Sequence, residues 1–278
     1  MKLVSGSKVL DLRSHAAVVA ILNVTPDSYY DGGRNLDPAA LLRSAERAVE
    51  GGADILEIGG ESTGPDSCDI SSDEEERRVL PSVRALRAAF PTVWIAVDTT
   101  KAKVADAALR SGADMINDVS AGRADPAMFS VIARYRCPVV LMYSKDPTPR
   151  TTRRDVRYDD VLATIRTFLL SRIAQAKKEH IEESQMILDP GLGHFVSSDP
   201  TYSFKILRRL RELTDLGPIL VSPSRKSFLA GPDNLPPSKR LPATLEASLL
   251  AVRNGASLIR THDPKETRDA LFKRGCAQ

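Results

Sequence analysis

The residues of this sequence that could do chemistry follow eight short apolar runs. Each run is succeeded at once by polar or charged side chains. In chain order these include Asn23, Thr63, Asp98, Asn117, Lys145, Asp189, Ser224 with Lys226, and Arg260 with His262. Asp98 alone would be typical of a helix cap or a loop. A convergent ring of such groups, buried without a ligand, would cost several kcal/mol in unpaired polar atoms, so the pattern favours a polar small-molecule pocket.

The acidic and amide members of the ring suit one kind of ligand. The carboxylates of Asp98 and Asp189 accept hydrogen bonds, and the amide of Asn117 both donates and accepts them. Together these groups match a planar heterocycle that carries N–H donors and a carbonyl. The residue types alone do not choose between a nucleotide and a pterin.

The basic members of the ring indicate an anion next to that heterocycle. Arg260, His262 and Lys226 are the groups that an anion would contact. Asn23 supplies a neutral oxygen, which is compatible with Mg²⁺ shared with phosphate oxygens. The ligand predicted from the residues is therefore a heterocycle together with phosphate.

A repeated alternation of strand and helix positions these side chains. The apolar runs lie at 17–22, 55–58, 94–97, 115–116, 139–142, 186–188, 219–221 and 258–259. Amphipathic segments follow them at 38–51, 72–89, 101–111, 126–135, 159–180, 201–216, 241–254 and 264–273. Short continuous apolar runs are typical of buried parallel strands. Eight such units predict a single (β/α)8 TIM barrel over residues 1–278, whose strand ends meet at one face.

Two local patterns refine this prediction. Residues 1–4 and 8–12 flank Gly6, which predicts a short N-terminal hairpin that closes the bottom of the barrel. Ser72 precedes Glu75 by three positions, which predicts a capping box at the start of the second helix. A doubly wound open sheet is the alternative fold, but no G-x-G-x-x-G sequence follows the first strand.

Composition excludes several classes of partner. The chain has 278 residues and a net charge of only +3, which gives no driving force for binding nucleic acid or an anionic membrane. No apolar run approaches the roughly 20 residues of a bilayer span, and the start lacks a secretory pattern. Three widely spaced cysteines argue against disulfides, so we expect a cytoplasmic protein. The basic segment 150–157 is expected to be an exposed loop.

At the strand ends the sequence resembles dihydropteroate synthase, a TIM-barrel family of the folate pathway. The matching stretches occur in the order of the family and cover essentially the whole barrel. They are ILNVTPDSYYDGG (21–33), GADILEIGGEST (52–63), AVDTTKAKVA (96–105), GADMINDVS (112–120), ILDPGLG (187–193), SRKSFL (224–229) and GASLIRTHDPKET (255–267).

The resemblance implies a reaction and a role for each site residue. Members join 6-hydroxymethyl-7,8-dihydropterin diphosphate to p-aminobenzoate and release pyrophosphate with Mg²⁺. The pterin would be held by Asp98, Asn117, Asp189 and Lys226; the diphosphate and metal by Arg260, His262, Asn23 and Thr63; and the arylamine by Tyr29, Pro65, Ser224, Lys226 and Phe195. The expected catalytic residues are Asp98, Lys226, Arg260 and His262. Loops 24–34 and 59–69 would close over the site, and the last two helices would form a homodimer.

Two single positions and one stretch depart from the usual pattern of this family. Gly64 stands where members usually have an arginine, and Tyr143 stands where they commonly have a histidine. After Asp189-Pro190-Gly191, the stretch Gly193-His194-Phe195-Val196-Ser197-Ser198 replaces the usual short Phe-Gly-Lys pattern. This longer form resembles the sulfonamide-resistance variants of the family, so we expect reduced sulfonamide sensitivity if Phe195 faces the arylamine rather than the helix packing.

Two other functions are weighed against the synthase. Gly64 makes a non-catalytic or altered-substrate pterin-binding paralogue plausible. A pterin-binding methyltransferase domain would share the barrel, but the SRKSFL stretch at 224–229 argues against it. Release of pyrophosphate with formation of dihydropteroate separates a synthase from a protein that only binds pterin.

Overall fold

Eight parallel strands close into a barrel in the computed structural model, which describes residues 1–25 and 37–273. Two further strands, β1 (Lys2–Ser5) and β2 (Lys8–Asp11), form a separate antiparallel hairpin. The barrel strands are β3 (Ala17–Asn23), β4 (Ile55–Gly59), β5 (Trp94–Asp98), β6 (Met115–Asp118), β7 (Val139–Met142), β8 (Met186–Asp189), β9 (Ile219–Val221) and β10 (Ala256–Thr261). Each barrel strand pairs with its chain neighbour, and β10 pairs in parallel with β3. The predicted TIM barrel is confirmed.

One α-helix follows each barrel strand and packs on its outer face. The helices are α1 (Pro38–Glu50), α2 (Ser72–Ala89), α3 (Ala102–Arg110), α4 (Met128–Tyr135), α5 (Val161–Lys178), α6 (Pro200–Arg208), α7 (Leu241–Arg253) and α8 (Pro264–Lys273). The sixth helix is shorter than the predicted 201–216, because a separate 3₁₀ turn at Leu210–Leu213 follows it. Leu210 and Leu213 are nevertheless fully buried, as an amphipathic continuation of the segment requires.

The bottom of the barrel is filled by apolar side chains and closed by the hairpin of β1 and β2. Leu3, on β1, is fully buried and packs with the inward-facing Val19, Ile55 and Leu258. Such a layer makes the lower barrel a packed core rather than a pore. The hairpin therefore closes the bottom, as predicted, and the opposite end remains for a site.

The capping box predicted at Ser72 is wrong by one residue. The cap is Ser71, whose backbone is extended and whose Oγ accepts a hydrogen bond from the backbone N–H of Glu74 at 3.2 Å. Ser72 is already helical, so it cannot serve as the non-helical cap residue. Glu75 is instead fully buried, and its Oε2 lies 2.6 Å from Lys101 Nζ. The Glu75 carboxylate is therefore buried beside a cation and does not cap the helix.

Among the described residues, no helix combines the length and the apolar character that a membrane span requires.

Candidate active site

The carboxyl ends of the barrel strands surround a cavity of about 520 Å³. This is the face at which TIM barrels carry their chemistry. Nine of the predicted site residues line it: Asn23, Thr63, Pro65, Asp98, Phe195, Ser224, Lys226, Arg260 and His262. The cavity volume falls in the range of small-molecule sites, so the polar pocket inferred from the strand ends is a real feature of the fold.

Three predicted residues are placed differently. Asn117 and Asp189 are buried at the ends of β6 and β8 but do not line the cavity. Tyr29 lies outside the described residues, as does most of loop 24–34, one of the two loops that were expected to close over the site. The structure therefore brings nine predicted residues together at the cavity wall and sets two in its surroundings.

A network of buried and partly buried side chains joins Arg260 to two carboxylates at the base of the cavity. Its Nε donates to Glu57 Oε1, and its Nη2 donates to Asp98 Oδ2 at 2.9 Å. Glu57 Oε2 in turn accepts from Asn117 Nδ2 at 3.1 Å. A planar guanidinium suits this arrangement, because it can hold two carboxylates in fixed directions. The network fixes the positions of both Asp98 and Asn117.

Glu57 belongs to this site and was missed in the sequence. It lies in the middle of β4, is 1% exposed, and contacts both Arg260 and Asn117. The missed signal was a single charged residue inside the apolar run 55–58. Buried carboxylates are seldom tolerated without partners, so its position on an otherwise apolar strand could have indicated a site.

Burial raises the pKa of Asp98, and the positive charge of Arg260 opposes this effect. The negative charge of Glu57 raises it further. Two carboxylates thus share one guanidinium, and desolvation disfavours the charged form of Asp98. Asp98 is consequently a carboxyl group whose charge depends strongly on what binds beside it.

Asp189 and Lys226 form a second electrostatic pair. Burial raises the pKa of Asp189 to about 6, against the opposing charge of Lys226. Burial lowers the pKa of Lys226 to about 8, against the opposing charge of Asp189. Asp189 Oδ1 also accepts a hydrogen bond from the N–H of Gly191 at 2.7 Å. Between these two pKa values both groups are charged, one ready to accept and the other to donate hydrogen bonds.

His262 is neutral, which changes its expected contribution. Burial, followed by the nearby Arg260, lowers its pKa to about 3. Its Nδ1 lies 2.9 Å from Ser224 Oγ, which also accepts from the backbone N–H of His262 at 3.1 Å. A neutral imidazole contributes one N–H rather than a positive charge. His262 can therefore hold an anion only by hydrogen bonding, unlike the basic group assumed from the sequence.

The loop after β7 is anchored at the cavity rim by Lys145. This side chain is 2% exposed. Its Nζ lies within hydrogen-bond distance of Asp146 Oδ2 (2.7 Å), Thr151 Oγ1 (3.2 Å), Thr152 O (2.8 Å) and His194 O (2.5 Å). These contacts tie the loop after β7 to the turn after β8, which carries His194.

Phe195 faces the cavity. The backbone N–H of Lys145 donates to its carbonyl at 2.8 Å, which fixes the backbone. The ring lines the cavity, and Lys226 Nζ lies 5.1 Å from its centre. The sequence leaves open whether the ring of Phe195 faces the pocket or packs against a helix, and in the structure it faces the pocket.

The basic segment 150–157 is more than an exposed loop, because its arginines pair with acidic residues. Arg150 binds Asp69 at 2.6 Å, and Arg154 binds Asp146 at 2.8 Å. Arg153 pairs with Asp66. The pairs of Arg150 and Arg153 join the loop after β7 to the loop after β4, whereas the pair of Arg154 lies within the loop after β7. The charges of these three arginines are thus paired with carboxylates of the protein itself.

Comparison with known proteins agrees with a small-molecule site of this kind. A family model described as "Pterin binding enzyme" matches residues 19–262. The chain is 37% identical over 272 residues to the dihydropteroate synthase of Escherichia coli (strain K12), covering 98% of this chain and 94% of that protein. It is 40% identical over 261 residues to the dihydropteroate synthase of Mycobacterium leprae, covering 91% and 90%.

Solved structures of similar proteins share the fold over nearly the whole chain. A Yersinia pestis dihydropteroate synthase in a sulfonamide drug complex superposes with a TM-score of 0.92 at 36% identity, covering 98% of both chains. A Xanthomonas albilineans dihydropteroate synthase with 4-aminobenzoic acid superposes with a TM-score of 0.89 at 37% identity, covering 99% of this chain and 97% of the other.

Proposed function

This chain belongs to the family of pterin-binding enzymes, and we propose how its residues carry out the reaction. It acts as a dihydropteroate synthase: it condenses 6-hydroxymethyl-7,8-dihydropterin diphosphate with p-aminobenzoate, giving 7,8-dihydropteroate and pyrophosphate, in folate biosynthesis. One observation carries this function beyond the comparisons. One cavity at the strand ends brings partly buried carboxylates and cations together in one small-molecule site.

The base of the cavity binds the pterin in this proposal. Asp189 accepts hydrogen bonds from the amino-pyrimidinone edge, because it is ionised above about pH 6. Asn117 presents its Oδ1, since its Nδ2 already donates to Glu57. Lys226 donates to the oxo group or a ring nitrogen. The support for these roles is that each polar group of a pterin edge then finds a partner of complementary type.

Arg260 and His262 hold the diphosphate at the neighbouring wall. Arg260 donates through Nε to Glu57 and through Nη2 to Asp98. Nη1 is therefore the group that can donate to a phosphate oxygen. The neutral ring of His262 adds one N–H. The methylene C–O bond breaks with its electron pair on the departing pyrophosphate, whose charge these donors stabilise.

Asp98 stabilises the positive charge that develops on the pterin as this bond breaks. Its carboxyl group lies at the cavity wall next to Arg260. Departure of the diphosphate raises the net positive charge beside Asp98 and thereby favours its ionised form. The amine of p-aminobenzoate, placed between Pro65, Phe195 and Ser224, then forms the C–N bond and loses a proton. No enzyme nucleophile is needed.

Mg²⁺ fits this site as an ion that arrives with the diphosphate. Among residues 1–25 and 37–273, no three His, Cys, Asp or Glu side chains are grouped to hold a metal. Asn23, a single neutral oxygen ligand at the cavity wall, suits an ion that keeps waters and phosphate oxygens. When bound, Mg²⁺ supplies positive charge to the phosphate oxygens. Calorimetric titration with pyrophosphate tests this: binding that survives both EDTA and Arg260→Ala contradicts it.

The activity is tested by incubating the purified protein with the pterin diphosphate, with and without p-aminobenzoate. A synthase releases pyrophosphate and forms dihydropteroate, whereas a non-catalytic paralogue does neither. A paralogue of altered substrate would release pyrophosphate with another arylamine only. Arg260→Ala prepared in parallel is the control, because any activity that remains there comes from the enzyme of the expression host.

We also propose the cytoplasm as the compartment and a homodimer formed by α7 and α8, with residues 1–278 acting as one pterin-binding unit. Cys68 and Cys137 are free thiols, which supports a reducing compartment. Phe272 on α8 is 71% exposed, an apolar side chain that a second copy could cover. Light scattering on the wild type and on Phe272→Glu tests the dimer: a monomeric wild type contradicts it.

A further inference from the structure

We propose that Arg153 is a specificity residue, which binds the carboxylate of p-aminobenzoate from the rim of the cavity. This inference rests on the proposed function, because it assumes that p-aminobenzoate enters between Pro65 and Phe195. Arg153 lies in the loop after β7, and its side chain lines the same cavity as those two residues. It is part of the basic segment 150–157, to which the reaction as derived above gives no role.

The loop after β4 leaves a place for such a cation. This loop contributes Glu61, Ser62, Thr63, Gly64 and Pro65 to the cavity wall, and none of them is positively charged. An arylamine whose other end is a carboxylate brings a negative charge to this wall. A carboxylate moved out of water needs a charged or hydrogen-bonding partner.

The electrostatic neighbours of two histidines show at which end of the cavity Arg153 lies. Burial lowers the pKa of His194, and the positive charges of Arg153, Lys145 and Lys226 lower it further. Burial also lowers the pKa of His262, but there the contributing positive charges are those of Arg260 and Arg225. Arg153 therefore lies on the side of His194 and Lys226, where the arylamine is expected, and away from the diphosphate end.

Arg153 is held at this end by a contact that a substrate can replace. Its ion pair with Asp66 joins side chains that are 59% and 51% exposed, and water screens such pairs strongly. Arg154 differs, because its partner Asp146 is only 3% exposed and is also bound by Lys145. Arg154 serves the loop structure, whereas Arg153 can exchange a carboxylate of the protein for one of the ligand.

Steady-state kinetics with p-aminobenzoate and with the uncharged p-aminobenzamide tests the inference. Arg153→Gln is expected to raise the KM for p-aminobenzoate about five- to tenfold, the effect of losing one partly exposed charge pair. The kcat and the KM for the benzamide should stay unchanged. Asp66→Asn should lower the KM for p-aminobenzoate about twofold, because it removes a competitor for Arg153.

Arg157→Gln is the matched control, since it removes the same charge from the same segment at a position outside the cavity wall. It should leave both KM values unchanged. The proposal is overturned if Arg153→Gln leaves the KM for p-aminobenzoate unchanged, if it raises both KM values equally, or if Arg157→Gln has the same effect. Failure of the proposed function looks different, because the wild type would then not turn over p-aminobenzoate at all.

Discussion

The base and the rim of the cavity are built in different ways. At the base, charged groups stand on strands: Glu57 within β4 and Asp189 at the end of β8 are buried, and Arg260 within β10 and Asp98 at the end of β5 are partly buried. At the rim, loops are joined by side-chain contacts, among them the exposed pair of Arg153 and Asp66. Strands position groups more rigidly than loops do. The base therefore suits the recognition of a fixed heterocycle and its chemistry, and the rim suits selection of the second substrate.

The two regions should also respond differently to substitution. Removing a charge from the base leaves a buried partner uncompensated, which costs far more than the loss of an exposed ion pair. Substitutions at the base should thus affect pterin binding, whereas substitutions at the rim should affect the arylamine or the stability of the loops.

The largest effect is expected for Asp189→Ala. The variant loses the acceptor for the pterin edge and leaves Lys226 without its opposing charge. Affinity for a pterin ligand, measured by calorimetry, should fall more than about 100-fold, as expected when charge-assisted hydrogen bonds are removed. Asp189→Asn is the matched control, because it keeps the shape and an acceptor for the Gly191 N–H and should lose less. Wild-type affinity in a folded Asp189→Ala protein contradicts the assignment.

The second effect concerns the rim. Lys145→Met removes the cation that ties the loop after β7 to the turn at His194. Breaking a buried ion pair costs about 3 kcal/mol, so the Tm should fall by roughly 5–10 °C. The KM for p-aminobenzoate should rise while pterin affinity stays unchanged, because the base is intact.

Lys103→Met is the control for Lys145→Met, since it breaks a lysine–aspartate pair in which both side chains are mostly exposed. Its Tm should stay within about 2 °C of the wild type. Equal losses of stability in the two variants would show that burial does not distinguish these pairs. A loss of pterin affinity in Lys145→Met would show that base and rim are not independent.

Much of this architecture could be predicted from sequence, because it depends on local patterns. The apolar runs at 139–142 and 219–221 are the strands β7 and β9 without change of boundary. Buried parallel strands carry this signal in the chain itself. Seven of the nine site residues at the cavity could likewise be placed there, because a closed barrel brings all the strand ends to the same face. From the sequence, Pro65 and Phe195 could be placed there only by the resemblance to the family.

What could not be predicted depends on contacts between distant parts of the chain. Glu57 and Arg260 meet across a separation of 203 residues, and no local pattern pairs them. The neutral state of His262 follows from burial beside Arg260, which only the folded barrel creates. The backbone of Phe195 is likewise held by a hydrogen bond from the backbone of Lys145, fifty positions away in the chain. In each case contacts between distant parts of the chain decide what the residue does.

The pH dependence of pterin affinity gives the third effect. Asp189 is ionised above its pKa of about 6, and Lys226 is protonated below its pKa of about 8. The binding form needs both charges, so affinity should be maximal between these values and fall about tenfold per pH unit beyond either. Calorimetry with a pterin that lacks the diphosphate avoids the titration of the phosphate.

Lys226→Arg sharpens this test, because an arginine keeps its charge throughout the range. The decline on the alkaline side should move upward in this variant, while the decline near pH 6 should remain. A decline near pH 8 that persists in Lys226→Arg would assign it to a group other than Lys226.

The smallest effect concerns selection between p-aminobenzoate and sulfonamides at Phe195. The ring lines the cavity beside Lys226, and its backbone is fixed by Lys145. The substrate presents a planar carboxylate there, whereas a sulfonamide presents a tetrahedral and often substituted sulfonyl group. A bulky ring at this wall should exclude the drug more than the substrate, so specificity arises from steric exclusion.

Phe195→Gly should therefore lower the ratio of the sulfamethoxazole inhibition constant to the KM for p-aminobenzoate by about fivefold, in the range that a change of pocket size produces. Phe195→Leu is the control, because it keeps much of the bulk and should leave the ratio near that of the wild type. An unchanged ratio in Phe195→Gly would remove Phe195 from drug exclusion. The charge of Arg153 attracts any anion, whereas the ring of Phe195 discriminates by shape. In the double variant Arg153→Gln with Phe195→Gly, the free-energy changes of the two single variants should therefore add.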